Sequence, residues 1–262
     1  MNEATHGRSL RERLRVGAPL IGGFVFSTDA NITEIYGAAG FDFVIVDLEH
    51  TMGDMQVVAA HLRAARGAGI DAVVRVGRSQ IADVPRLLDA GSNGIMLPHL
   101  GLPQYGADEA LRAMRYPPEG ERPTCTGVPA ASFGLVPFAD YAARANQEAA
   151  AIGLVEDKSS VERIDEVLAG GLVDCVMPGP GDLSVSLGVP GQLRHPLVQE
   201  AVVTVVGAAR RRGMAAGAYI SDPSEVAQAR SLGFTFLVLS IDYKLLGAAL
   251  KSAAVRMRDD MR

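Results

Sequence analysis

Carboxylate, imidazole and guanidinium side chains occur in this sequence at the points where predicted strands end. The candidates are Asp47, Glu49 and His50 after one apolar run, Arg75 late in the next, and then His99, Glu156 and Asp182 after three later runs. If the strands are parallel and close into a barrel, their carboxyl ends meet on one face, where reactive groups gather. We therefore expect these side chains to converge on a single site.

Glu156 and Asp182 are the candidate metal ligands. Glu156 ends an otherwise apolar strand, and Asp182 follows the next strand directly after the rigid turn 178–181 (PGPG). Two carboxylates on adjacent strands repel each other unless a cation lies between them. Oxygen ligands without cysteine favour Mg²⁺ or Mn²⁺ over zinc. Taken singly, Glu156 could be a solvated strand-end charge and Asp182 the N-cap of a helical turn, but together they favour a metal site.

His50 and Arg75 supply the other two reactive groups. His50 can act as a general base because imidazole titrates near neutral pH, and Asp47 could orient its ring. The alternative for His50 is a loop or helix-cap histidine. An arginine within a buried strand needs an anionic partner. That partner is either an anionic substrate or a structural carboxylate such as Asp47 or Asp89.

Lysine usage narrows the chemistry. The only lysines are Lys158, Lys244 and Lys251, and none lies inside a predicted strand. A Schiff-base aldolase needs a desolvated lysine within the barrel. Only Lys158 lies just beyond a predicted strand. Carbonyl chemistry at this site would therefore depend on a metal ion as the electron sink.

Composition excludes several classes of protein. The chain has 262 residues, of which 48% are hydrophobic and 21% charged, as is typical of a globular protein with a full core. Its net charge of −5 argues against nucleic-acid binding. Uncharged stretches are interrupted by Gly and Pro and no apolar leader is found, so we expect neither a membrane span nor a signal peptide. Two cysteines, Cys125 and Cys175, predict reduced thiols in a cytoplasmic protein.

Eight apolar runs alternate with helical patterns along the chain. The predicted strands are 20–26, 41–47, 71–76, 94–97, 152–156, 173–177, 215–220 and 234–240. This alternation predicts a single-domain α/β protein, a (β/α)8 TIM barrel, with 1–15 as an N-terminal extension and 243–262 as an additional C-terminal helix. A doubly wound open sheet is the alternative, but the phosphate-binding fingerprint after its first strand is missing. The Gly- and Pro-rich loop 117–137 is expected to be functional or a subunit contact.

Five motifs in order carry a resemblance to a known family. FDFVIVDLEH, VVRV, RLLDAG, RYPPEGER and GPGDLSVSLG together resemble the HpcH/HpaI family of class II pyruvate aldolases, and the matches run from about Leu20 to Lys251. The resemblance implies a metal-dependent enzyme that joins or cleaves pyruvate and an aldehyde in 4-hydroxy-2-oxoacids. It further implies a homo-oligomer, a hexamer in this family.

The resemblance also implies roles for individual residues. Glu156 and Asp182 match the ligands of Mg²⁺ or Mn²⁺, with Co²⁺ as a further option. His50 matches the catalytic base, Arg75 the arginine that binds the pyruvate oxygen, and Asp89 an aspartate that supports the histidine. Asp47 begins the same D-x-E-H motif and is counted with the catalytic residues, and Gly181 holds a substrate-contacting backbone position.

Two departures from the family pattern concern the substrate rim. Leu154 occupies a position where these aldolases usually have a substrate-contacting glutamine, and residues 76–80 replace a P-x-W-N-D-like segment. Two alternatives therefore stay open. One is an oxaloacetate decarboxylase or a macrophomate synthase-like enzyme that forms C–C bonds through an enolate. The other is a non-catalytic barrel that only binds an oxoacid.

Overall fold

The computed structural model describes residues 7–262 and shows a closed barrel in which all eight strands are parallel and neighbours in sequence pair in space. The strands are Leu20–Val25 (β1), Phe43–Asp47 (β2), Asp71–Arg75 (β3), Gly94–Leu97 (β4), Ala150–Val155 (β5), Cys175–Pro178 (β6), Ala215–Ile220 (β7) and Phe236–Ile241 (β8). This topology confirms the predicted TIM barrel. Its β-branched and aliphatic strands require a sheet that is covered on both faces, and the barrel provides that cover.

Helices surround the barrel and connect its strands. They are Leu10–Arg15 (α1), Asn31–Ala38 (α2), Met55–Ala68 (α3), Val84–Asp89 (α4), Ala107–Ala113 (α5), Phe138–Glu148 (α6), Lys158–Glu162 (α7), Ile164–Val167 (α8), Pro180–Ser186 (α9), Pro196–Arg211 (α10), Val226–Ser231 (α11) and Asp242–Asp260 (α12). The last of these confirms the additional C-terminal helix. Within residues 7–262, no helix has the length and apolar character that crossing a membrane requires.

The inner core consists of side chains that alternate along each strand and point into the barrel. Phe43 of β2 and Phe236 of β8 stack there with ring centroids 4.0 Å apart. Gly22 of β1 leaves the room for this stack, because a Cβ at that position would lie 2.2 Å from the Phe43 ring. The outward-facing residues form a second core between the strands and the helices.

Helix α1 closes the amino-terminal end of the barrel. Leu10 and Leu14 are buried in the inner core, and Arg11 forms an ion pair of 2.7 Å with the buried Asp174. Ser9 and Glu12 form a reciprocal capping box that begins the helix. The predicted extension 1–15 therefore contains part of the fold, and its residues 1–6 lie outside the described residues.

The Gly- and Pro-rich loop packs against the barrel to which it belongs. Its 3₁₀ turn Pro129–Gly134 contributes the buried Ala131 to a small cluster with Tyr116 and Tyr141. In contrast, α12 leaves apolar side chains such as Leu246 and Leu250 more than half exposed.

We predict that Gly22→Ala destabilises the protein by about 1–3 kcal/mol, since the added methyl group overpacks the inner core against Phe43. The matched control is Gly207→Ala in the middle of α10, where the new Cβ meets only the Arg211 side chain at 3.6 Å. Higher helix propensity should stabilise that variant by about 0.8–1 kcal/mol. Urea unfolding measures both changes, and equal stability of the two variants would contradict this account of the inner core.

Candidate active site

A buried ion pair between Asp47 and Arg75 lies at the carboxyl end of the barrel. The two residues are register partners on β2 and β3, and Arg75 Nε donates to Asp47 Oδ1 at 2.6 Å. The Asp47 side chain is 0% exposed, and the guanidinium carbon of Arg75 lies 4.5 Å from the ring centroid of Phe24. Of the partners that the sequence left open for Arg75, the structure selects Asp47 and not Asp89.

Asp47 also shapes the loop that follows β2. Its carboxylate accepts hydrogen bonds from the backbone N–H of Glu49 at 3.2 Å and of His50 at 3.0 Å. The expectation that Asp47 orients the ring of His50 is wrong in this structure, because both contacts are to the backbone. The His50 ring is 58% exposed, and its Nε2 lies 3.5 Å from Glu49 Oε2.

Glu49 lies between the His50 imidazole and the Arg75 guanidinium group. Its Oε2 atom is 3.6 Å from Arg75 Nε as well as close to His50. Burial raises the pKa of Glu49, and the positive charge of Arg75 opposes that rise. The sequence placed Glu49 among the strand-end candidates but assigned it no role of its own, although it lies within the D-x-E-H segment.

Glu156 lies directly beyond the end of β5 and is only 5% exposed. Its Oε1 accepts the backbone N–H of His99 at 2.8 Å. Burial, reinforced by the charges of Asp182 and Glu49, raises the pKa of Glu156 from 4.5 to about 7 despite that hydrogen bond. Gly179 makes room for the carboxylate, because a Cβ there would lie 2.7 Å from Glu156 Oε2.

Asp182 and Gly181 are both exposed in the first turn of α9, which follows β6. Asp182 is not an N-cap, because Gly179 occupies that position. A Cβ at Gly181 would meet no atom within 4 Å, so the space beside this backbone is open. Both side-chain and backbone groups of this turn are therefore accessible to a ligand at the barrel mouth.

His99 is held in an unusual conformation at the end of β4. Its φ of 49° lies in the left-handed region, and its Nδ1 lies 2.8 Å from Asp157 Oδ2. The ring packs on Tyr105 with centroids 4.0 Å apart. Burial lowers the pKa of His99, but the hydrogen bond to Asp157 and the nearby carboxylates outweigh it and raise the pKa overall. The sequence indicated His99 only by its strand-end position.

The donor set fits a divalent cation that prefers oxygen ligands. Glu156 is a buried carboxylate whose charge is unfavourable next to Asp182, and a cation between the two would compensate that cost. Within residues 7–262, no three His, Cys, Asp or Glu side chains are grouped as metal ligands. Two carboxylates suffice for Mg²⁺, which usually keeps several waters and takes further oxygens from its substrate.

Leu154 is 4% exposed and packs in the inner core beside its register partner Met177, in the layer directly below Glu156. Asp89 lies away from the barrel mouth. Asp89 accepts a hydrogen bond from Arg122 at 2.7 Å. Because α4 runs back toward the start of β4, its last residue lies at the amino-terminal end of the barrel. Asp89 therefore does not support His50 within one chain.

Comparison with known proteins gives consistent matches over nearly the whole chain. The family model HpcH/HpaI aldolase/citrate lyase matches residues 20–249. A hydroxypyruvate/pyruvate aldolase of Paraburkholderia phytofirmans is 34% identical, covering 97% of this chain and 99% of that protein. A 4-hydroxy-2-oxo-heptane-1,7-dioate aldolase of Shigella sonnei is 30% identical, covering 95% and 94%. The crystal structure of an HpcH/HpaI family protein from Burkholderia cenocepacia superposes with a TM-score of 0.87 at 35% identity, covering 95% and 98%.

We expect metal-free protein to lose stability as the pH rises from about 4.5 to about 7, the unfolded and folded pKa values of Glu156. In this window the folded state binds the proton more tightly, so the free energy of unfolding falls as the proton is lost. The contribution is on the order of 3 kcal/mol. Urea unfolding in the presence of a chelator measures it.

Glu156→Gln should flatten this part of the profile. The control Glu162→Gln, which removes a carboxylate that is 61% exposed, should leave it unchanged. A slope that survives in Glu156→Gln would contradict the assignment to this group.

Proposed function

Since the chain belongs to the HpcH/HpaI aldolase/citrate lyase family and is thus a carbon–carbon lyase, we propose that it is a metal-dependent aldolase of 4-hydroxy-2-oxoacids. It would release pyruvate and an aldehyde, or join them in the reverse direction. One observation carries the proposal. The Glu156 and Asp182 carboxylates and the Arg75 guanidinium group lie at the same barrel mouth.

Glu156 and Asp182 are the residues that would bind Mg²⁺, Mn²⁺ or Co²⁺. When bound, such an ion supplies Lewis-acid polarisation of the keto group of the substrate. The His99 N–H, which donates to Glu156 Oε1 at 2.8 Å, fixes one oxygen of this carboxylate and leaves the other available. A buried ligand that is held in this way loses little freedom on binding.

Arg75 would bind the oxygen atoms of the oxoacid. Its Nε is engaged by Asp47, and it makes no other hydrogen bond within the described residues. The two terminal nitrogens are therefore free to donate to a carboxylate or to a developing enolate oxygen. Removing an electrostatic contact of this kind typically costs roughly 100-fold in rate or more.

His50 would act as the base in cleavage. It takes the proton of the 4-hydroxyl group, directly or through a water molecule, while the C3–C4 bond breaks and its electron pair remains on C3. The aldehyde leaves, and C3 then accepts a proton to give pyruvate. Glu49 Oε2, 3.5 Å from His50 Nε2, stabilises the positive ring that forms.

Schiff-base chemistry has no support at this site. Lys158 in α7 and Lys244 in α12 each follow a strand by three residues, and both side chains are exposed. The Nζ of Lys158 is 3.8 Å from Glu162. A Schiff-base lysine needs a desolvated position within the barrel, and neither of these two has one.

We predict that chelator-treated protein releases no pyruvate from 4-hydroxy-2-oxoacids and that Mg²⁺ or Mn²⁺ restores the reaction. Glu156→Gln should lower kcat roughly 100-fold or more at saturating metal, because it removes a charged ligand. Glu162→Gln, an exposed carboxylate on the next helix, is the matched control and should retain full activity. A coupled assay that consumes pyruvate measures the rates.

Three results would contradict the proposal. Turnover that is insensitive to chelator would exclude the metal mechanism. Loss of CO₂ from oxaloacetate that is faster than any aldol cleavage would favour a decarboxylase. Binding of oxalate by calorimetry without turnover of any substrate would favour a barrel that only binds oxoacids.

A further inference from the structure

A cavity of about 510 Å³ lies beside the reaction centre, at the carboxyl ends of β2, β3 and β4. Its lining consists of Leu48, Glu49, Gly77, Arg78, Ser79, Gln80 and Tyr105. A volume of this size is common for small-molecule sites, which range over roughly 300–1,000 Å³. Glu49 connects the cavity to the reaction centre, since it also lies 3.5 Å from His50 and 3.6 Å from Arg75.

Four side chains that line this rim cavity can donate hydrogen bonds, namely those of Arg78, Ser79, Gln80 and Tyr105. Ser79 and Tyr105 offer hydroxyl groups. Gln80 uses its Oε1 to accept the Gly77 N–H at 3.1 Å, which leaves its amide nitrogen free to donate. A ligand that is rich in acceptor oxygens would satisfy this set.

Arg78 is the cation of the rim cavity. The next arginine along the chain, Arg86, is paired with Asp83 at 2.6 Å, whereas Arg78 has no carboxylate within ion-pair distance in the part of the chain that the structure describes. A free guanidinium group on a cavity wall is suited to bidentate binding of a carboxylate or a phosphate.

Glu49 determines which way an anionic ligand would lie. It is the one carboxylate among the lining residues, and it is at the end next to His50 and Arg75. A negative group is repelled there and attracted at the Arg78 end. The uncharged, reactive end of a ligand would therefore point toward His50.

Gly77 brings the two walls of the cavity close together. A Cβ at this position would lie 2.9 Å from Gln80 Oε1 and 3.4 Å from the Glu49 backbone. A side chain at this position would displace the Gln80 amide and press on the Glu49 backbone, so this glycine keeps the wall between the two residues open.

We propose that the rim cavity binds the acceptor aldehyde and that Arg78 selects aldehydes with an anionic group at the end remote from the carbonyl. This inference rests on the proposed function, because it assigns the aldehyde position of that same reaction. The anionic group is a carboxylate or a phosphate, which the experiment distinguishes.

The test is the addition of pyruvate to matched aldehydes, with metal at saturation. Succinic semialdehyde is compared with butanal, and glyceraldehyde 3-phosphate with glyceraldehyde. The native chain should prefer at least one anionic member of these pairs.

Arg78→Gln should lower kcat/KM for that aldehyde by roughly 10- to 100-fold, as for loss of one charged hydrogen-bond partner. In Arg78→Gln, the KM for pyruvate and the rates with neutral aldehydes should stay within about twofold of the native values, which is the scale of a small rotamer or solvation change.

Arg86→Gln is the matched control, since it removes a cation from the same segment but not from the cavity lining. It should leave all four aldehydes unaffected. Turnover without preference for an anionic aldehyde, or equal losses for charged and neutral aldehydes in Arg78→Gln, would overturn this inference and leave the proposed function intact. No addition to any aldehyde would contradict both.

Discussion

The buried contact between Asp47 and Arg75 is the interaction on which the rest of the site depends. A guanidinium group inside a barrel is tolerated only beside a well-placed anion, and removal of such a partner typically costs about 3–5 kcal/mol. Asp47 meets this need and also binds the backbone N–H groups of Glu49 and His50. One carboxylate therefore positions both the Arg75 guanidinium group and the loop that carries His50.

The opposite side of the barrel mouth is acidic and is organised in a comparable way. Glu156 is buried, and the His99 N–H holds one of its oxygens, while Asp157 and Tyr105 hold the His99 ring. An anionic oxoacid is complementary to this arrangement. Its oxygens can face Arg75 on one side and a cation held by carboxylates on the other. The cation would offset the repulsion between the substrate and the carboxylates, and the substrate would offset the repulsion between the cation and Arg75.

Sequence periodicity was sufficient to predict which candidate residues lie at the carboxyl ends of the strands. Parallel strands bring their ends to one face, so reading only the residues there identified Asp47, His50, Arg75 and Glu156 together. It could not determine which atoms of those residues meet. The contact of Asp47 with the backbone of His50, instead of its ring, depends on the path of a short loop and not on residue spacing.

Other errors have equally specific causes. Asp89 lies on a helix that returns to the other end of the barrel, and spacing along the chain does not reveal the end at which a helical residue stops. The role of His99 depends on a left-handed backbone conformation that sequence patterns rarely predict for histidine. Likewise, the apolar face of α1 was too short to reveal that this helix closes the barrel.

The central claim is that this barrel mouth converts pyruvate into its enolate, and exchange of the pyruvate methyl protons in D₂O tests it without requiring an aldehyde. Proton NMR follows the loss of the methyl signal. We expect exchange well above the protein-free rate with Mg²⁺ or Mn²⁺ present, and none above that rate after chelation or in Arg75→Gln. Equal exchange with and without the protein, at saturating metal and pyruvate, would contradict it.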